Sequence, residues 1–498
     1  MGSLILTNEK FFKRLFEIVP GAAVWIIILS PIWGAFWIPH YVGYFVIFFD
    51  VLWFYVSFTT AIFGAICFSK LKKEINFDWA SLAKSLAKIN KSKTHHIVLI
   101  PNYKEKFEKL DRALQSLINQ DIGPKNLTVV LAMEEREGPQ AKIRAKLLEA
   151  KFAKKFGNFF VTFHPLLPGE VAGKSSNQAY AAKFVKTKLI DEQGLPIEDF
   201  TITTTDADSV FHQKYFTALT AKFLTDEARF TKFWQPAHLD YNNFWQVPFP
   251  VRMVTTISNV SRLANSEDPT RPLFIYSVYS ASLKMVASVD FWDVDVIPED
   301  WHMFLKCFYK LGGVVSVEPI RIPVYFDAPF AGSFIKTLIT RYLQNRRHAW
   351  GAVDLSYAVR QFFLHPEIPF LKKFARIAEL ARTHFVWSTH WFILTLGATI
   401  PTLINPVFAQ TVAGHNLPTI ARIILTTCLL ALFAIILVDI KLRPVKPSYL
   451  PKWLGITNIL QWFFLPVTTL LLSSLPGLDA HTRLMLGKRL EYQVTEKV

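Results

Sequence analysis

The chain has little cysteine, and its cysteines are widely separated. Its 498 residues contain only Cys67, Cys307 and Cys428. Structural zinc sites need cysteine or histidine ligands at short, regular spacing, and this pattern offers none. A disulfide framework of the kind found in small secreted domains is disfavoured for the same reason. We expect buried thiols, since two of the three lie in apolar segments.

Charge is missing from long stretches near both ends of the chain. Residues 20–38 carry no charged side chain, and residues 41–68 carry only Asp50. Each stretch is close to the ~20 apolar residues that cross a bilayer. A cleaved signal peptide is a poor fit, because the first stretch is long and no small-residue cleavage site precedes the second. The two stretches therefore predict a pair of membrane-spanning helices joined by a tight turn.

The formal net charge is +16, and many of the basic residues lie next to these apolar stretches. A strongly basic chain is compatible with nucleic-acid binding or with a membrane surface. Residues 69–73 include three lysines directly after the second apolar stretch. By the positive-inside rule, that end of the helix is cytoplasmic. Because the positive charge follows the membrane edges, we expect no nucleic-acid partner.

The C-terminal part of the chain contains further apolar stretches. Residues 384–403 and 420–438 predict two more spans. Residues 405–417 between them lack lysine and arginine, so we expect them outside the cell. Residues 456–475 are apolar but are interrupted by Pro466. Proline removes an internal hydrogen bond of a helix and favours a break. We therefore expect a re-entrant or interfacial segment there rather than a full fifth span.

Two features of the N-terminal region carry their own hypotheses. Residues 4–17 combine lysine, arginine and phenylalanine, which predicts a short amphipathic helix on the membrane surface. Asp50 lies inside the second predicted span, where an ionisable group is either functional or hydrogen-bonded between helices. The sequence leaves these two interpretations of Asp50 open.

The central region alternates strand and helix patterns. Apolar, β-branched runs at residues 96–102, 127–133, 159–163 and 200–205 predict buried strands, with helical periodicity between them. Such alternation is typical of βαβ units and predicts an α/β domain with a mostly parallel sheet. Residues 100–103 lack a glycine-rich phosphate loop. That absence argues against a nucleotidyl or sugar-phosphate transferase.

Two carboxylates follow the fourth predicted strand. The run ends at Asp206 and Asp208, which are separated by one small residue. Open α/β sheets bind their ligands at the carboxyl ends of the strands. Two acids in this position can hold one divalent cation and leave it accessible to phosphate oxygens. The alternative is a strand-end turn with solvated acids.

Two later segments combine residues that suit a reaction site. Pro298 suits a helix N-terminus, which places Glu299 and Asp300 in the first helical turn. The alternative role for these acids is helix capping. Residues 340–351 are both basic and aromatic, which predicts a helix at the membrane surface that faces an anionic ligand. The alternative there is an interfacial helix whose charged side chains reach into water.

Taken in this order, the motifs resemble those of the membrane-integrated family 2 glycosyltransferases, which include cellulose, chitin and hyaluronan synthases and ceramide glucosyltransferases. Asp206-Ala207-Asp208 resembles the D-x-D motif of that family, and Glu299-Asp300 resembles its T-E-D motif with Pro298 in place of threonine. Residues 344–350 resemble Q-x-x-R-W, but two residues separate the arginine from the tryptophan. The resemblance implies a GT-A-type α/β domain inserted between transmembrane helices.

The resemblance also implies a role for individual residues. Asp206 and Asp208 would hold Mg²⁺ or Mn²⁺ against a nucleotide-sugar donor, and Asp300 would be the base. The implied catalytic residues are Asp300, Glu299 and Arg347. The implied donor-binding residues are Pro101, Asn102, Glu105, Glu134, Glu135, Lys174, Asn177, Asp206, Arg346, Thr495 and Lys497. The implied acceptor-binding residues are Tyr279, Ser280, Gln344 and Trp350.

These expectations give a division of the chain. It comprises an interfacial helix at 1–17, two transmembrane helices at 18–68, a cytoplasmic linker helix at 69–94, the GT-A domain at 95–330, interfacial helices at 331–382, two transmembrane helices at 383–440, a cytoplasmic loop with a re-entrant or fifth segment at 441–475, and a tail at 476–498. In that tail, Tyr492, Val494, Thr495 and Lys497 resemble the F-x-V-T-x-K gating loop of cellulose-synthase-like enzymes. The alternative for the tail is a frayed terminus.

The expected function is that of an inverting glycosyltransferase. It would move a sugar from a nucleotide-diphosphate sugar to a lipid or polysaccharide acceptor. The expected donor is a UDP-sugar. The expected location is the bacterial inner membrane, with the catalytic domain in the cytoplasm. The competing hypothesis from another class is a membrane transporter or scaffold with a nucleotide-binding domain. That hypothesis predicts acids inside several spans, and only Asp50 fits clearly.

Overall fold

A computed structural model describes residues 6–90, 93–451, 453–488 and 490. The strands are β1 His95–Asn102, β2 Leu127–Glu134, β3 Asn158–His164, β4 Phe200–Thr204, β5 Val210–Phe211, β6 Lys232–Leu239, β7 Tyr279–Ser282 and β8 Ser316–Tyr325. The N-terminal and central helices are α1 Glu9–Trp37, α2 Pro39–Asn76, α3 Trp79–Asn90, α4 Phe107–Ile118, α5 Pro139–Phe152, α6 Lys174–Lys186, α7 Tyr215–Thr225, α8 Phe249–Asn265, α9 Leu283–Ser288 and α10 Glu299–Lys310. The later helices are α11 Phe334–Ala349, α12 Val353–Leu364, α13 Phe370–Leu396, α14 Ile400–Ile404, α15 Pro406–Ala409, α16 Val412–Leu442, α17 Leu454–Leu460, α18 Leu465–Thr469 and α19 Leu475–Met485.

The central domain is built on one eight-stranded sheet in the order β3-β2-β1-β4-β7-β6-β8-β5. The pairs β1–β2, β2–β3, β1–β4 and β6–β8 are parallel, whereas β7 is antiparallel to both of its neighbours and β5 is antiparallel to β8. The prediction of a mostly parallel α/β sheet is therefore confirmed. Because β1, β2 and β4 are mutually parallel, their carboxyl ends meet at one edge of the sheet.

Both faces of the sheet are covered, which explains the continuous apolar character of its strands. Along β1, Ile97 and Leu99 enter one apolar core, and Val98 and Ile100 enter the other. All four side chains are fully buried or nearly so. Alternate residues of a strand point to opposite faces, so a strand with two covered faces needs apolar side chains at every position.

The N-terminal helices differ in their limits from the sequence prediction. The first helix runs without interruption from Glu9 to Trp37, so the separate interfacial helix expected at 1–17 is continuous with the first apolar stretch. The second helix continues from Pro39 to Asn76, beyond the predicted end at residue 68. The reason is local, because lysine and glutamate between residues 70 and 74 are good helix formers. The linker helix is correspondingly short, Trp79–Asn90.

Four helices in the described part of the chain are long and apolar enough to cross a membrane: Glu9–Trp37, Pro39–Asn76, Val412–Leu442 and Leu454–Met485. Asp50 lies in the second of these and is only 1% exposed. Neither oxygen of its carboxylate has a hydrogen-bond partner among the residues that the structure describes.

The span predicted at 384–403 corresponds to α13, which ends at Leu396 and does not meet that compositional criterion. Polar side chains account for this, because Ser388, Thr389 and His390 are buried against neighbouring helices instead of facing outward. Past the end of α13, Ala398 packs in an apolar cluster with Val46 of α2. This helix therefore extends from the catalytic domain to the first turns of α2 and α16, at their ends away from that domain.

The segment Leu454–Met485 is helical throughout, but its winding changes twice. It tightens to a 3₁₀ turn at Gln461–Phe464, just before Pro466, and widens to a π turn at Leu470–Ser474. Phe464 contacts Phe249 of α8 with ring centroids 5.5 Å apart. Further along, Asn345 of α11 donates a hydrogen bond to the carbonyl of Leu472. The segment therefore lies along α8 and α11. The gating-loop prediction for Thr495 and Lys497 falls outside the described residues.

Candidate active site

A cavity of about 870 Å³ begins at the carboxyl ends of the parallel strands. Each of these strand ends contributes to its lining, which includes Pro101 and Asn102 at the end of β1, Glu105 after it, Glu134 at the end of β2, and Asp206 and Asp208 after β4. Lys174 and Asn177 from the first turns of α6, and Glu299 and Asp300 from the start of α10, line the same cavity. The structure thus brings together most of the donor and catalytic residues predicted from separate motifs.

Lys174 connects the two acidic motifs. Its ammonium lies 2.9 Å from a carboxylate oxygen of Asp206 and 2.8 Å from one of Glu299. Burial alone would lower the pKa of Lys174, but the two carboxylates outweigh it and raise the pKa above its ordinary value. Because Lys174 is the first residue of α6, its charge adds to the positive end of the helix dipole. This corner of the cavity is suited to a phosphate group.

Ser277 joins the same residues through its backbone and its side chain. Its hydroxyl donates to Asp206 at 2.5 Å, its N–H donates to Asp300 at 3.0 Å, and its carbonyl accepts from Lys174 at 2.6 Å. The backbone of Ser277 has φ of 58°, in the left-handed region that non-glycine residues seldom adopt. Three polar contacts hold this conformation, and strain of this kind is concentrated at functional sites.

Asp300 is placed to accept a proton. Its two oxygens accept backbone N–H groups from Ser277 at 3.0 Å and Trp301 at 2.8 Å, and the carboxylate faces the cavity. Burial raises the pKa of Asp300 above its ordinary value, although the two N–H groups lower it in part. A carboxylate of raised pKa that faces a cavity fits the role of a general base.

Glu299 has a supporting position beside Asp300. One oxygen pairs with Lys174, and the other accepts a hydrogen bond from the Tyr279 hydroxyl at 3.0 Å. The side chain of Glu299 is 6% exposed. Burial raises the pKa of its carboxyl, and Lys174 opposes that increase. The arrangement fixes Lys174 and leaves Asp300 as the acid that an acceptor can reach.

A buried ion network holds α10 in place below these acids. His302 contacts Asp293 at 3.0 Å and Asp354 of α12 at 2.8 Å. Lys306, one turn further along α10, contacts Asp293 at 2.6 Å. Burial alone would lower the pKa of His302, but the two carboxylates raise it to about 9. His302 is therefore charged at neutral pH, and its ion pairs with Asp293 and Asp354 fix the position of α10, which carries Asp300.

This network predicts a pH dependence of stability. The pKa of His302 is about 9, against about 6.5 for a histidine in the unfolded chain. Its contribution, about 3 kcal/mol from this difference, is fully present below pH 6.5 and is lost as the pH rises through about 9. We expect the unfolding midpoint of the purified protein to fall over this range. The His302→Gln variant should show a smaller fall, and an equal fall in both proteins would assign the effect to other groups.

Helix α11 presents one face to the cavity. Arg341, Gln344, Asn345 and His348 recur at the spacing of one helical stripe and line it, together with Arg347. Arg341 donates a hydrogen bond to Gln344 at 2.7 Å. Of the residues resembling Q-x-x-R-W, the glutamine and Arg347 therefore belong to the site.

The other two predicted residues of this segment are elsewhere, and their predicted roles need correction. Arg346 does not line the cavity, and its guanidinium pairs with Asp479 of α19 at 3.0 Å. Trp350 does not line the cavity either, because it packs in an apolar cluster with Leu484. Arg346 lies on the opposite face of α11, and Trp350 lies in the 3₁₀ turn that ends the helix. The two extra residues before the tryptophan place it there.

The predicted acceptor contacts Tyr279 and Ser280 also need correction. Both lie in β7, in the middle of the sheet, and are at most 1% exposed. Ser280 bonds to Thr203 at 2.7 Å and Tyr215 at 2.8 Å, so its hydroxyl is already used within the sheet. A central strand covered on both faces has no side chain available to a ligand.

Trp301 is the aromatic side chain that lines the cavity next to Asp300. Its ring lies 5.0 Å from the ring of Phe274 and 5.7 Å from that of His384. The resemblance to Q-x-x-R-W implied Trp350 as the aromatic acceptor contact instead. The sequence feature that could have indicated Trp301 is its position directly after Glu299 and Asp300.

The remaining donor predictions separate into residues inside and outside the cavity. Glu134 lines the cavity and pairs with Arg136, whereas Glu135 is exposed in the turn that follows and does not line it. Asn102 and Asn177 both donate to the carbonyl of Ala132, at 3.2 and 2.9 Å, so they also tie β1 and α6 to β2. The structure thus distinguishes the two glutamates between which the sequence did not decide.

The donor set at Asp206 and Asp208 suits a divalent cation. Both carboxylates line the cavity, and Asp208 accepts the backbone N–H of Asp327 at 2.8 Å. The described residues contain no group of three or more histidine, cysteine or acidic side chains that could hold a metal by themselves. Mg²⁺ in phosphate-binding sites takes one or two carboxylates and completes its shell with phosphate oxygens and water. Two acids beside a phosphate-binding corner fit that requirement.

The fold and the site define an α/β enzyme that binds its ligand at the carboxyl ends of parallel strands. The family model described as glycosyl transferase family group 2 matches residues 201–475, more than half of the chain. The chain therefore belongs to the family 2 glycosyltransferases, which use nucleotide-sugar donors. The family prediction made from the motifs is confirmed.

Solved glycosyltransferase structures also resemble the chain. Mannosyltransferase PcManGT from Pyrobaculum calidifontis, in complex with GDP-Man and Mn²⁺, is 13% identical, with a TM-score of 0.43, over 79% of this chain and 99% of that chain. Residues 1–349 of TarS from S. aureus are 11% identical, with a TM-score of 0.38, over 67% of this chain and 90% of that chain. A search of curated proteins gives no match.

Proposed function

We propose that the protein is an inverting, metal-dependent glycosyltransferase that moves a sugar from a nucleotide-diphosphate sugar, with UDP as the preferred nucleotide, to an acceptor at the membrane. The observation that carries the proposal is that Lys174, Asp206 and Asp300 line one cavity and are linked through Ser277. In this proposal, the diphosphate site at Lys174 and the base Asp300 lie on either side of Ser277.

The donor diphosphate would lie against Lys174 and the first turn of α6. The ammonium and the helix N-terminus both favour negative charge. Asp206 and Asp208 would hold Mg²⁺ or Mn²⁺, which supplies charge stabilisation to the leaving diphosphate. Asn102 and Glu134 line the same cavity and would contact the nucleoside.

The transfer is then a single displacement. An acceptor hydroxyl gives its proton to Asp300 as its oxygen forms a bond to the anomeric carbon. The bond from that carbon to the diphosphate breaks, and its electron pair leaves with the nucleoside diphosphate. Attack and departure occur on opposite faces of the sugar, so the anomeric configuration inverts. Trp301 lines the cavity beside Asp300, where it would pack against the acceptor.

Arg347 would stabilise the departing diphosphate, and its neighbour provides a matched control. Arg347 faces the cavity, whereas Arg346 pairs with Asp479 away from it. We expect Arg347→Ala to lower kcat by about 10²-fold, since loss of one stabilising contact in the transition state costs ~3 kcal/mol. Arg346→Ala should leave kcat near the wild-type value. Equal losses in the two variants would show that α11 acts only through its packing.

We propose that α1, α2, α13 and α16 cross a bacterial inner membrane and that the catalytic domain is cytoplasmic. The segment Leu454–Met485 follows α8 and α11, and Arg14 near the start of α1 bonds to the carbonyl of Leu484 at 2.8 Å. The C-terminal end of that segment therefore lies beside the start of α1, and its middle lies along α8 and α11. We propose that it is an interfacial or re-entrant segment, despite its length.

A donor screen tests the proposed function. Purified protein is incubated with Mn²⁺, native lipid extract and a panel of uridine, guanosine and thymidine diphosphate sugars, and the released nucleoside diphosphate is measured. We expect one donor to give release that depends on the added lipid extract. Absence of release with every donor, under conditions where the protein stays folded, would overturn the proposal.

A further inference from the structure

The catalytic cavity continues from Asp300 into the apolar helices. Beyond Trp301 it is lined by side chains from α2, α8, α13 and α16 and by the segment Leu454–Met485. Those from the apolar helices include Trp53, Val56, Leu425, Leu429, Leu432 and Leu465. The space that contains the base is therefore continuous with a space between the apolar helices.

The end of this cavity farthest from the catalytic domain is closed. Val42 and Val46 of α2 pack against Ala398, Leu417 and Ala421 in one apolar cluster, and each is at most 8% exposed. This cluster begins about two turns beyond Trp53 on α2 and about one turn beyond Leu425 on α16, where the cavity ends on these helices. Among the residues that the structure describes, it closes the cavity between α2 and α16 on the side away from the catalytic domain.

The cavity is open at its side instead. Leu429 of α16 lines the cavity and is 57% exposed. Leu432 on α16, and Leu465 and Thr469 on α18, line the same part and are partly exposed. Residues that belong both to the lining and to the surface mark an opening, which here lies between α16 and α18. In the topology proposed above, this opening would face the bilayer.

The chemistry of the lining changes along the cavity. Near Asp300 it is polar, and His384 lies there with its ring 5.7 Å from Trp301. Neither ring nitrogen of His384 has a hydrogen-bond partner within the described part of the chain, although the residue is only 2% exposed. Toward the opening the lining has aliphatic side chains from Val56, Leu425, Leu429, Leu432 and Leu465, with scattered hydroxyls such as those of Ser57 and Thr469, and no charged side chain among these residues. A hydroxyl-rich polysaccharide would lose its hydrogen bonds to water there, whereas a hydrocarbon chain would not.

We propose that the acceptor is a membrane lipid with a hydroxyl-bearing head, which enters sideways between α16 and α18. This inference rests on the proposed transferase function. The lipid hydroxyl reaches Asp300, and His384 supplies a hydrogen bond to the head. The hydrocarbon chain lies along Val56, Leu425 and Leu429 and extends into the bilayer. The product is a single glycolipid that returns to the same leaflet, not a polymer that is exported.

The product class is measured in membrane vesicles from cells that express the full chain. The vesicles receive the radiolabelled nucleotide sugar that the donor screen identifies. We expect label in the organic phase after chloroform–methanol extraction, in a product of lipid size. Label in water-soluble or insoluble polymer would overturn the lipid inference and leave the transferase function standing. Absence of nucleotide release with every donor would overturn both.

The side opening is tested by adding bulk to it. Leu429→Trp fills the opening, whereas Leu430→Trp places the same side chain on the adjacent, 66% exposed position that does not line the cavity. We expect Leu429→Trp to slow lipid glycosylation by on the order of tenfold, with nucleotide affinity unchanged. Leu430→Trp should behave like the wild type. Equal rates in the two variants would exclude entry between α16 and α18, and unchanged nucleotide affinity shows that each variant is folded.

Discussion

Replacing Asp300 with asparagine is expected to lower kcat by ~10²–10⁴-fold, the usual cost of losing a general base. The amide retains the shape of the carboxylate and its oxygen can still accept the N–H of Ser277, but it cannot take a proton from the acceptor. Because the proposed place of the donor diphosphate is at Lys174 and Asp206, donor affinity should change little. Steady-state rates and nucleotide binding by calorimetry measure the two effects separately.

The control for this variant is Asp295→Asn, a nearby exposed acid that does not line the cavity. It should retain the wild-type rate. Burial raises the pKa of Asp300, so the wild-type kcat/KM should fall as the pH drops below a value higher than that of an ordinary aspartate. Near-normal turnover in Asp300→Asn would remove Asp300 from the mechanism. So would a residual activity of this variant whose kcat/KM falls at low pH just as that of the wild type does.

Activity is expected to require Mg²⁺ or Mn²⁺, and Asp208→Asn should reduce kcat by about 10²-fold or more. The physical reason is that a cation at a phosphate supplies several kcal/mol of charge stabilisation in the transition state. Asp208 is 4% exposed and follows a buried strand. A neighbouring side chain therefore cannot easily take its place as a metal ligand. Rates measured across a metal titration, for the wild type and the variant, give the effect.

The metal dependence has two independent readouts. Mn²⁺ binding in the presence of nucleoside diphosphate should weaken in Asp208→Asn, because one ligand is lost. In the wild type, excess chelator should abolish turnover, and added metal should restore it. Full activity in excess chelator would contradict the assignment of Asp206 and Asp208 as metal ligands.

The parts of the site that the sequence predicted are those that depend on local geometry. A β-branched run that stops at Asp206 defines a strand end, and parallel strands place their ends at one edge. Pro298 defines a helix start, and therefore the position of Glu299 and Asp300. Lys174 is likewise the first residue of a helix. Each prediction needed only the pattern of a few neighbouring residues.

The parts that it did not predict depend on contacts between distant segments. Tyr279 and Ser280 have a small, polar sequence typical of a ligand site, but the strand order puts them in the middle of the sheet. Arg346 and Arg347 are equivalent in sequence, and only the packing of α11 against α19 separates them. The role of Ser277 arises from three partners that lie 23 to 103 residues away in the chain.

The apolar helices show the same contrast between features set by local sequence and features set by contacts between distant segments. Uncharged stretches predicted apolar helices near the N-terminus, because length and charge are local properties. For α13, polar residues lower the mean hydropathy below that of the four candidate spans. Their side chains contact other helices and the cavity. The segment Leu454–Met485 has the opposite character, with the composition of a span and contacts along α8 and α11.

The central claim, a single displacement with Asp300 as the base, is tested most directly by the stereochemistry of the product. The glycosylated product is collected after a short incubation with a donor of known anomeric configuration, and its anomeric proton is observed by NMR spectroscopy. One in-line attack gives the configuration opposite to that of the donor. A product that retains the donor configuration would require a two-step route through a second nucleophile, and would contradict the account.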